Sequence, residues 1–140
     1  MEPRTSPLVA HVLRLRPGED LLRSLEAYVA THGLEAAVLL TCVGSLDGAS
    51  IRFANREDAT WIPGKHEITS LVGTLSASGG SHVHVGIADG DGVARGGHLM
   101  EGSRVYTTAE ITLGALPALR FSREPDPTYG YDELVAYPKE

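Results

Sequence analysis

Three histidines in the middle of the chain are the residues best suited to chemistry. His82 and His84 lie two apart in the apolar run SHVHVGIA, and His98 follows in the segment ARGGHL. Residues two apart on a β-strand point to the same face of a sheet, so the first pair should share a face. Neighbouring imidazoles are typical ligands of zinc and other divalent transition metals, and three of them with a water form a catalytic-type zinc arrangement. The sequence therefore predicts a metal site at His82, His84 and His98.

Two other interpretations of this histidine group stay open at this point. The side chains could be solvated on a wet sheet face, or they could form hydrogen bonds at a subunit interface without a metal. Glu67, Glu101 and Glu110 are available as further ligands or as an acid or base, but their spacing does not select one of them. The residues indicate no reaction and no substrate, so whether the protein is an enzyme is also left open.

The position of His98 relative to the other two histidines depends on the loop between their strands. The sequence DGDG at 89–92 is a hairpin signal. Opposed residues of an antiparallel pair have a constant sum of residue numbers and share a face. An odd loop, such as 89–91, would place His98 opposite His82, whereas an even loop would turn it away unless a bulge at Gly96-Gly97 restored it. We expect an odd loop or such a bulge; the two glycines also suit a close backbone approach.

One helix followed by many strands should position this group. Residues 19–33 carry Leu and Val at helical spacing and end at a glycine. The β-rich segments 8–16, 36–43, 49–54, 66–76, 81–88, 93–100, 104–113 and 116–123 favour strands, with a turn at 44–48 and a C-terminal arm. These elements predict an α+β fold with a mainly antiparallel twisted sheet, one N-terminal helix and room for short extra helices. We expect a single domain over 1–140 with a flexible segment at 1–7.

Charge and composition narrow the function classes. Twelve Lys and Arg against eighteen Asp and Glu give a net charge of −6. DNA binding depends on cations that neutralise phosphates, so weak or no direct nucleic-acid binding is expected. The single cysteine, Cys42, excludes an internal disulfide and should be a small core residue. No apolar stretch approaches the roughly 20 residues of a membrane helix, and the N-terminus lacks signal-peptide features, which predicts a cytoplasmic protein without membrane contact.

Four segments of the chain resemble, in the same order, the PPC domain (plants and prokaryotes conserved). They are GKHEITSLVGTLS (64–76), GGSHVHVGIADGDGVARGGHLMEG (79–102), RVYTTAEITL (104–113) and FSREPDPTYGYDELV (121–135). The resemblance covers nearly the whole chain and implies an α+β fold and a homotrimer. The family's histidine positions match His82, His84 and His98, and its acidic position in a G-R-F-E-I-L-like stretch matches Glu67.

The resemblance also raises an alternative function. In land plants the domain follows AT-hook motifs that bind A·T-rich DNA, and the PPC part mediates self-association and contacts with nuclear proteins. This chain lacks the Arg-Gly-Arg-Pro core of an AT hook. We expect a free-standing trimeric PPC-domain protein whose histidines hold zinc, another divalent transition metal or a small ligand. The alternative is a DNA-binding or transcription-regulatory protein that acts through partners; a cupin-like metalloenzyme ranks last because of the early helix and the small number of strands around the H-x-H pair.

Overall fold

The computed structural model describes residues 1–140 and contains one helix and eight strands. In chain order they are β1 (Val9–Leu15), α1 (Leu21–Thr31), β2 (Ala37–Arg52), β3 (Thr60–Ser76), β4 (Gly80–Ala88), β5 (Ala94–Leu99), β6 (Val105–Ala115), β7 (Leu119–Pro125) and β8 (Asp132–Pro138). Every strand pairing is antiparallel, so the predicted α+β fold with a mainly antiparallel sheet is confirmed. The helix of this protein is neither long nor apolar enough to cross a membrane.

Helix α1 forms within the predicted segment and covers one face of the sheet. Leu21, Leu25 and Val29 recur every four residues, are almost fully buried, and belong to the same core cluster as the strand residues. The carboxylate of Asp20 accepts a hydrogen bond from a backbone N–H of the first turn, at 3.0 Å. Gly33 follows the helix with a φ of 60°, a conformation that glycine adopts without strain. Apolar spacing and both ends of the helix thus follow from the sequence.

The main sheet has six strands in the order β1-β6-β2-β3-β4-β5, and part of it closes on itself. Strand β2 pairs with β3 and β6 along most of its 16 residues. At the end of the edge that pairs with β6, Ile51 and Arg52 pair with Leu99 and His98 of β5, while Ile51 still pairs with Thr60 of β3 on the other edge. Strands β2, β3, β4 and β5 therefore form a closed ring, which brings the end of β2 beside the histidine-bearing strands.

The turn predicted at 44–48 is wrong, because β2 runs through this segment as a continuous, bent strand. The pairing with β3 shifts register between Asp47 and Ala49, and Gly48 has a φ of 81°. A Cβ at this position would lie 2.3 Å from the ring of Trp61. Gly48 is thus a bulge residue that bends the strand without ending it. Glycines in an apolar run are typical of both a turn and a bulge, which explains the wrong prediction.

The C-terminal segment expected to pack as an arm forms a second sheet of two strands, β7 and β8. Ala36, Leu119, Phe121 and Ala136 form a small apolar cluster under this hairpin, separate from the main core. The backbone N–H of Phe121 also donates to the carbonyl of Glu35 at 2.9 Å. These contacts fix the hairpin against the main sheet, on the side where the histidines lie.

Candidate metal centre

Strand β4 places His82 and His84 on the outer face of the sheet. Val83, Val85 and Ile87 alternate with them and are at most 2% exposed, so they point into the core. Side chains on a strand alternate between faces, and the two histidines consequently point away from the core. The expectation that this pair shares a face agrees with the structure.

The β4–β5 hairpin brings His98 to the same face. Its loop comprises residues 89–93, an odd number as expected, and no bulge is needed. The residue opposite His98 is His84, however, and not His82. A loop of five residues, in place of three, moves the pairing of β4 with β5 by one pair. The number of loop residues is still odd, so His98 remains on the same face as the other two histidines.

The three imidazoles lie close enough together to hold one ion. Their ring centroids are 4.9 Å (His82–His84), 5.1 Å (His82–His98) and 5.6 Å (His84–His98) apart, and one nitrogen from each lies within 4.8 Å of the others. The Nε2 atoms of His82 and His84 are 3.2 Å apart. Two ligands at 2.0–2.1 Å from a tetrahedral zinc are about 3.3 Å apart, so this pair already has ligand spacing.

His98 carries the clearest sign that the group has a missing partner. Its Nδ1 is buried and has no hydrogen-bond partner in the protein. Burial, followed by the nearby Arg52 guanidinium, lowers the pKa of His98 to about 4, so its ring is neutral at pH 7. Neutral imidazole is the form that binds metal ions. The residues present therefore fit a divalent transition metal.

Arg123 of β7 favours one tautomer of His82. Its Nη2 donates to His82 Nδ1 at 3.2 Å and to the carbonyl of Asp132 at 3.0 Å. A guanidinium only donates, so Nδ1 accepts and the neutral ring carries its proton on Nε2, toward His84. Burial, followed by Arg123, lowers the pKa of His82. Without a metal, this arrangement is a hydrogen-bonded pair; coordination through His82 Nε2 requires the proton on Nδ1 and the departure of Arg123.

Arg52 belongs to this site although nothing in the sequence marks it. It is paired with His98 in the contact between β2 and β5, so its side chain is on the histidine face. The two residues are 46 positions apart in the chain, and they meet only because the ring of four strands closes. The sequence could have indicated this contact only if Gly48 had been interpreted as a bulge in a continuous strand, because β2 then extends to Arg52.

The three candidate carboxylates lie elsewhere. Glu67 is opposite Ala88, four residues along β4 from His84, which is roughly 13 Å at strand spacing. Glu101 forms an ion pair with an arginine of α1. Glu110 is on β6, separated from β4 by two strands. None of them is in the group whose ligand atoms converge.

Cys42 is partly buried and packs against the main core, in agreement with its predicted role. Burial raises the pKa of the thiol to about 11, and the carboxylate of Glu110 contributes in the same direction. The thiol is therefore protonated at neutral pH and is not an activated nucleophile. It lies on β2, away from the histidine group.

A cavity of about 580 Å³ opens beside the histidines. Its walls come from the end of β2 and the loop after it, from β4 and β5, and from the β7–β8 hairpin. Two of the three histidines line it, and so do three arginines and three carboxylates. These residues are His82, His98, Arg52, Arg56, Arg123, Glu57, Asp132 and Glu133.

The fold and the site together define a class of protein: an α+β domain with a three-histidine centre on the outer face of a hairpin, beside a polar cavity. The family model of the Plants and Prokaryotes Conserved domain, abbreviated PPC or PCC, matches residues 4–117. The chain belongs to this family, and the resemblance found in its sequence is confirmed.

Solved structures share this fold along almost the whole chain. A hypothetical protein from Salmonella enterica is 41% identical with a TM-score of 0.95, and the match covers 98% of this chain and 99% of that one. A protein from Archaeoglobus fulgidus, described as metal-containing, is 26% identical with a TM-score of 0.80, over 96% and 99% of the two chains. A Bacteroides thetaiotaomicron structure, described as a DNA-binding candidate, is 21% identical with a TM-score of 0.76, over 90% and 91%, and shows the fold alone.

A curated relative is much longer than this chain. The bifunctional protein GlmU of a Synechococcus strain is 42% identical over 140 residues, which is 98% of this chain. The aligned part is 22% of that protein, so the chain spans about a fifth of its length.

Proposed function

We propose that this PPC-domain protein is a cytoplasmic metal-binding protein. It binds a divalent transition metal, with zinc as the leading candidate, through His82, His84 and His98. The observation that carries the proposal is the convergence of three imidazoles, one of which has a buried ring nitrogen without a partner. The Archaeoglobus relative, described as metal-containing, supports the same assignment.

The chemistry available at such a centre follows from its ligand count. Three protein nitrogens leave a fourth position of a tetrahedral zinc for water or a ligand, and zinc lowers the pKa of bound water to about 7. Burial of the ring, followed by the nearby charge of Arg52, lowers the pKa of His98 to about 4 and keeps this ligand neutral at pH 7. The cavity beside the group gives a small molecule access to this open position.

Metal analysis of the purified protein tests the proposal. We expect about one zinc per chain after dialysis, or uptake of one zinc by metal-free protein at neutral pH. His84→Gln is the most informative variant because His84 is exposed and its ring forms a hydrogen bond only with His82. The change should weaken zinc binding at least as much as the 10–100-fold typical of residues that merely support a ligand.

His32→Gln is the matched control. His32 is also exposed, and its Nδ1 lies 2.9 Å from the carbonyl of Tyr28, outside the histidine group. This variant should bind zinc like the wild type. A wild-type protein that takes up no zinc, or equal zinc binding by both variants, would contradict the assignment.

We also propose that the chain assembles as a homotrimer, as the family resemblance implies. Apolar side chains are exposed on the strand faces that the helix does not cover: Val12 of β1 is 80% exposed and Val43 of β2 is 61% exposed. Strand β6 lies between them, and the register places both on one face. Burial of this apolar surface would favour self-association.

A further inference from the structure

The cavity beside the histidine group contains cations without carboxylate partners. Arg52, Arg56 and Arg123 line it, yet none is among the ion pairs of the protein. Arg52 donates to the carbonyl of Arg56 at 3.2 Å, and Arg123 donates to a ring nitrogen and a carbonyl. No carboxylate therefore lies within ion-pair distance of these guanidinium groups, and each has several unused donors.

The size of the cavity and the type of cation that lines it indicate which ligands it can bind. A volume of about 580 Å³ is within the range of small-molecule sites. The planar donor fork of arginine matches carboxylate and phosphate groups, often through two parallel hydrogen bonds. Two of these guanidinium groups adjoin the histidines, because Arg52 is paired with His98 and Arg123 Nη2 lies 3.2 Å from His82 Nδ1.

The carboxylates of the same cavity limit the charge of the ligand. Glu57, Asp132 and Glu133 also line it. A ligand with several anionic groups would meet repulsion there, whereas hydroxyl groups can donate to these carboxylates. The lining thus suits a molecule with one anionic end and hydroxyl groups along the rest.

We infer that this cavity binds a small hydroxylated oxyanion, such as a sugar phosphate or sugar acid, with its anionic group between the three arginines and the histidine group. The inference rests on the proposed metal site for one detail, namely that the anionic group lies beside the open metal position. The arginine contacts themselves need no metal.

Metal binding and anion binding should reinforce each other through Arg123. Coordination through His82 Nε2 places the ring proton on Nδ1, which then no longer accepts from Arg123. The released guanidinium becomes available to the anion. Zinc should therefore tighten anion binding, and by linkage the anion should tighten zinc binding by the same factor.

Calorimetric titration of the zinc-loaded protein tests the inference. The probes are glucose 6-phosphate and glucuronate, with glucose as the uncharged match. We expect either anion to bind while glucose does not, and the tighter of the two anions identifies the phosphate or the carboxylate as the recognised group. Arg52→Gln and Arg56→Gln should each weaken binding about tenfold or more, as expected for loss of a charge-assisted hydrogen bond.

Arg95→Gln is the control, since Arg95 is an exposed cation of β5 that does not line the cavity. Three results would overturn the inference and leave the zinc site in place. They are equal binding of glucose and the anions, no binding of either anion, and unchanged affinity in both arginine variants. Absence of zinc uptake overturns the proposed function instead. The same titrations on metal-free protein then decide the inference: binding lost in the arginine variants supports it, and no binding refutes it.

Discussion

Replacing His98 by leucine should change stability in opposite directions with and without zinc. In the metal-free protein, His98 Nδ1 is buried without a partner. Such a group costs about 1–3 kcal/mol, and a leucine of similar volume removes this cost. The metal-free variant should therefore be as stable as the wild type or more stable by about 1 kcal/mol, whereas it should lose most of the stabilisation by zinc.

The size of the zinc effect follows from mass action. A free zinc concentration of 100 times the Kd stabilises the wild type by about 2.7 kcal/mol. A variant with a hundredfold weaker site gains only about 0.4 kcal/mol at the same concentration. Unfolding entropy is about 2.1 cal/mol/K per residue, or about 0.3 kcal/mol/K for 140 residues, so the expected Tm increases are about 9 °C and about 1 °C.

Thermal denaturation of metal-free and zinc-loaded protein measures both effects. His66→Leu is the control, because His66 is 7% exposed and its Nδ1 lies 3.0 Å from the carbonyl of Gly64, outside the histidine group. This control should lower the Tm of the metal-free protein and keep the full zinc shift. The reasoning is refuted if metal-free His98→Leu is more than about 1 kcal/mol less stable than the wild type, or if it keeps the wild-type zinc shift.

Three further predictions concern pH, assembly and DNA. The pKa of His98 is lowered from 6.5 to about 4, so the folded state binds fewer protons than the unfolded state between these two pH values. The free energy of unfolding, measured in urea, should therefore fall as the pH decreases from about 6.5 to about 4. The part of this decrease that His98 causes should be absent in His98→Leu. Light scattering should give three times 14.9 kDa for the wild type and for the loop variant Val93→Asp, but a smaller mass for Val12→Asp; a wild-type mass near 15 kDa contradicts the trimer. Anisotropy titrations with generic duplex DNA should give a Kd no tighter than about 10⁻⁵ M at physiological salt, and nanomolar sequence-dependent binding would contradict this.

The sequence predicted the local parts of the site because they depend on neighbouring residues. The shared face of His82 and His84 follows from their spacing, and the hairpin that brings back His98 follows from the DGDG signal. The odd loop was expected only because a shared metal site requires it. The identity of the opposed pair did not follow, since it depends on whether the loop has three or five residues. The hydrogen bonds of the Asp89 carboxylate with the N–H groups of Asp91 and Val93, at 2.9 and 3.0 Å, stabilise the longer loop.

The remaining walls of the site depend on contacts between distant segments. Arg52 reaches the histidines only because β2 bends at Gly48 and pairs with β5. Arg123 reaches His82 only because the C-terminal segment folds into a hairpin of its own. Neither contact has a spacing or a motif in the sequence, and no single-segment pattern could have selected these two arginines from the twelve cations of the chain.

The two glycines before His98 show how the strands are positioned around this centre. A Cβ at Gly96 would lie 2.7 Å from the carbonyl oxygen of Val85, and a Cβ at Gly97 would lie 2.7 Å from that of Arg52. Strand β5 can therefore fit between β4 and the end of β2 only if both residues lack side chains, in agreement with the close approach predicted from the sequence.

This close packing has a consequence for the interpretation of the histidines. A hydrogen-bonded cluster without metal accounts for the contact between His82 and His84, and for Arg123 at His82 Nδ1. It leaves His98 Nδ1 buried and unpaired, at a cost that leucine at the same position would avoid. The close approach of the strands depends on Gly96 and Gly97 and not on an imidazole at position 98. A ligand for the ring nitrogens gives His98 a role that packing does not.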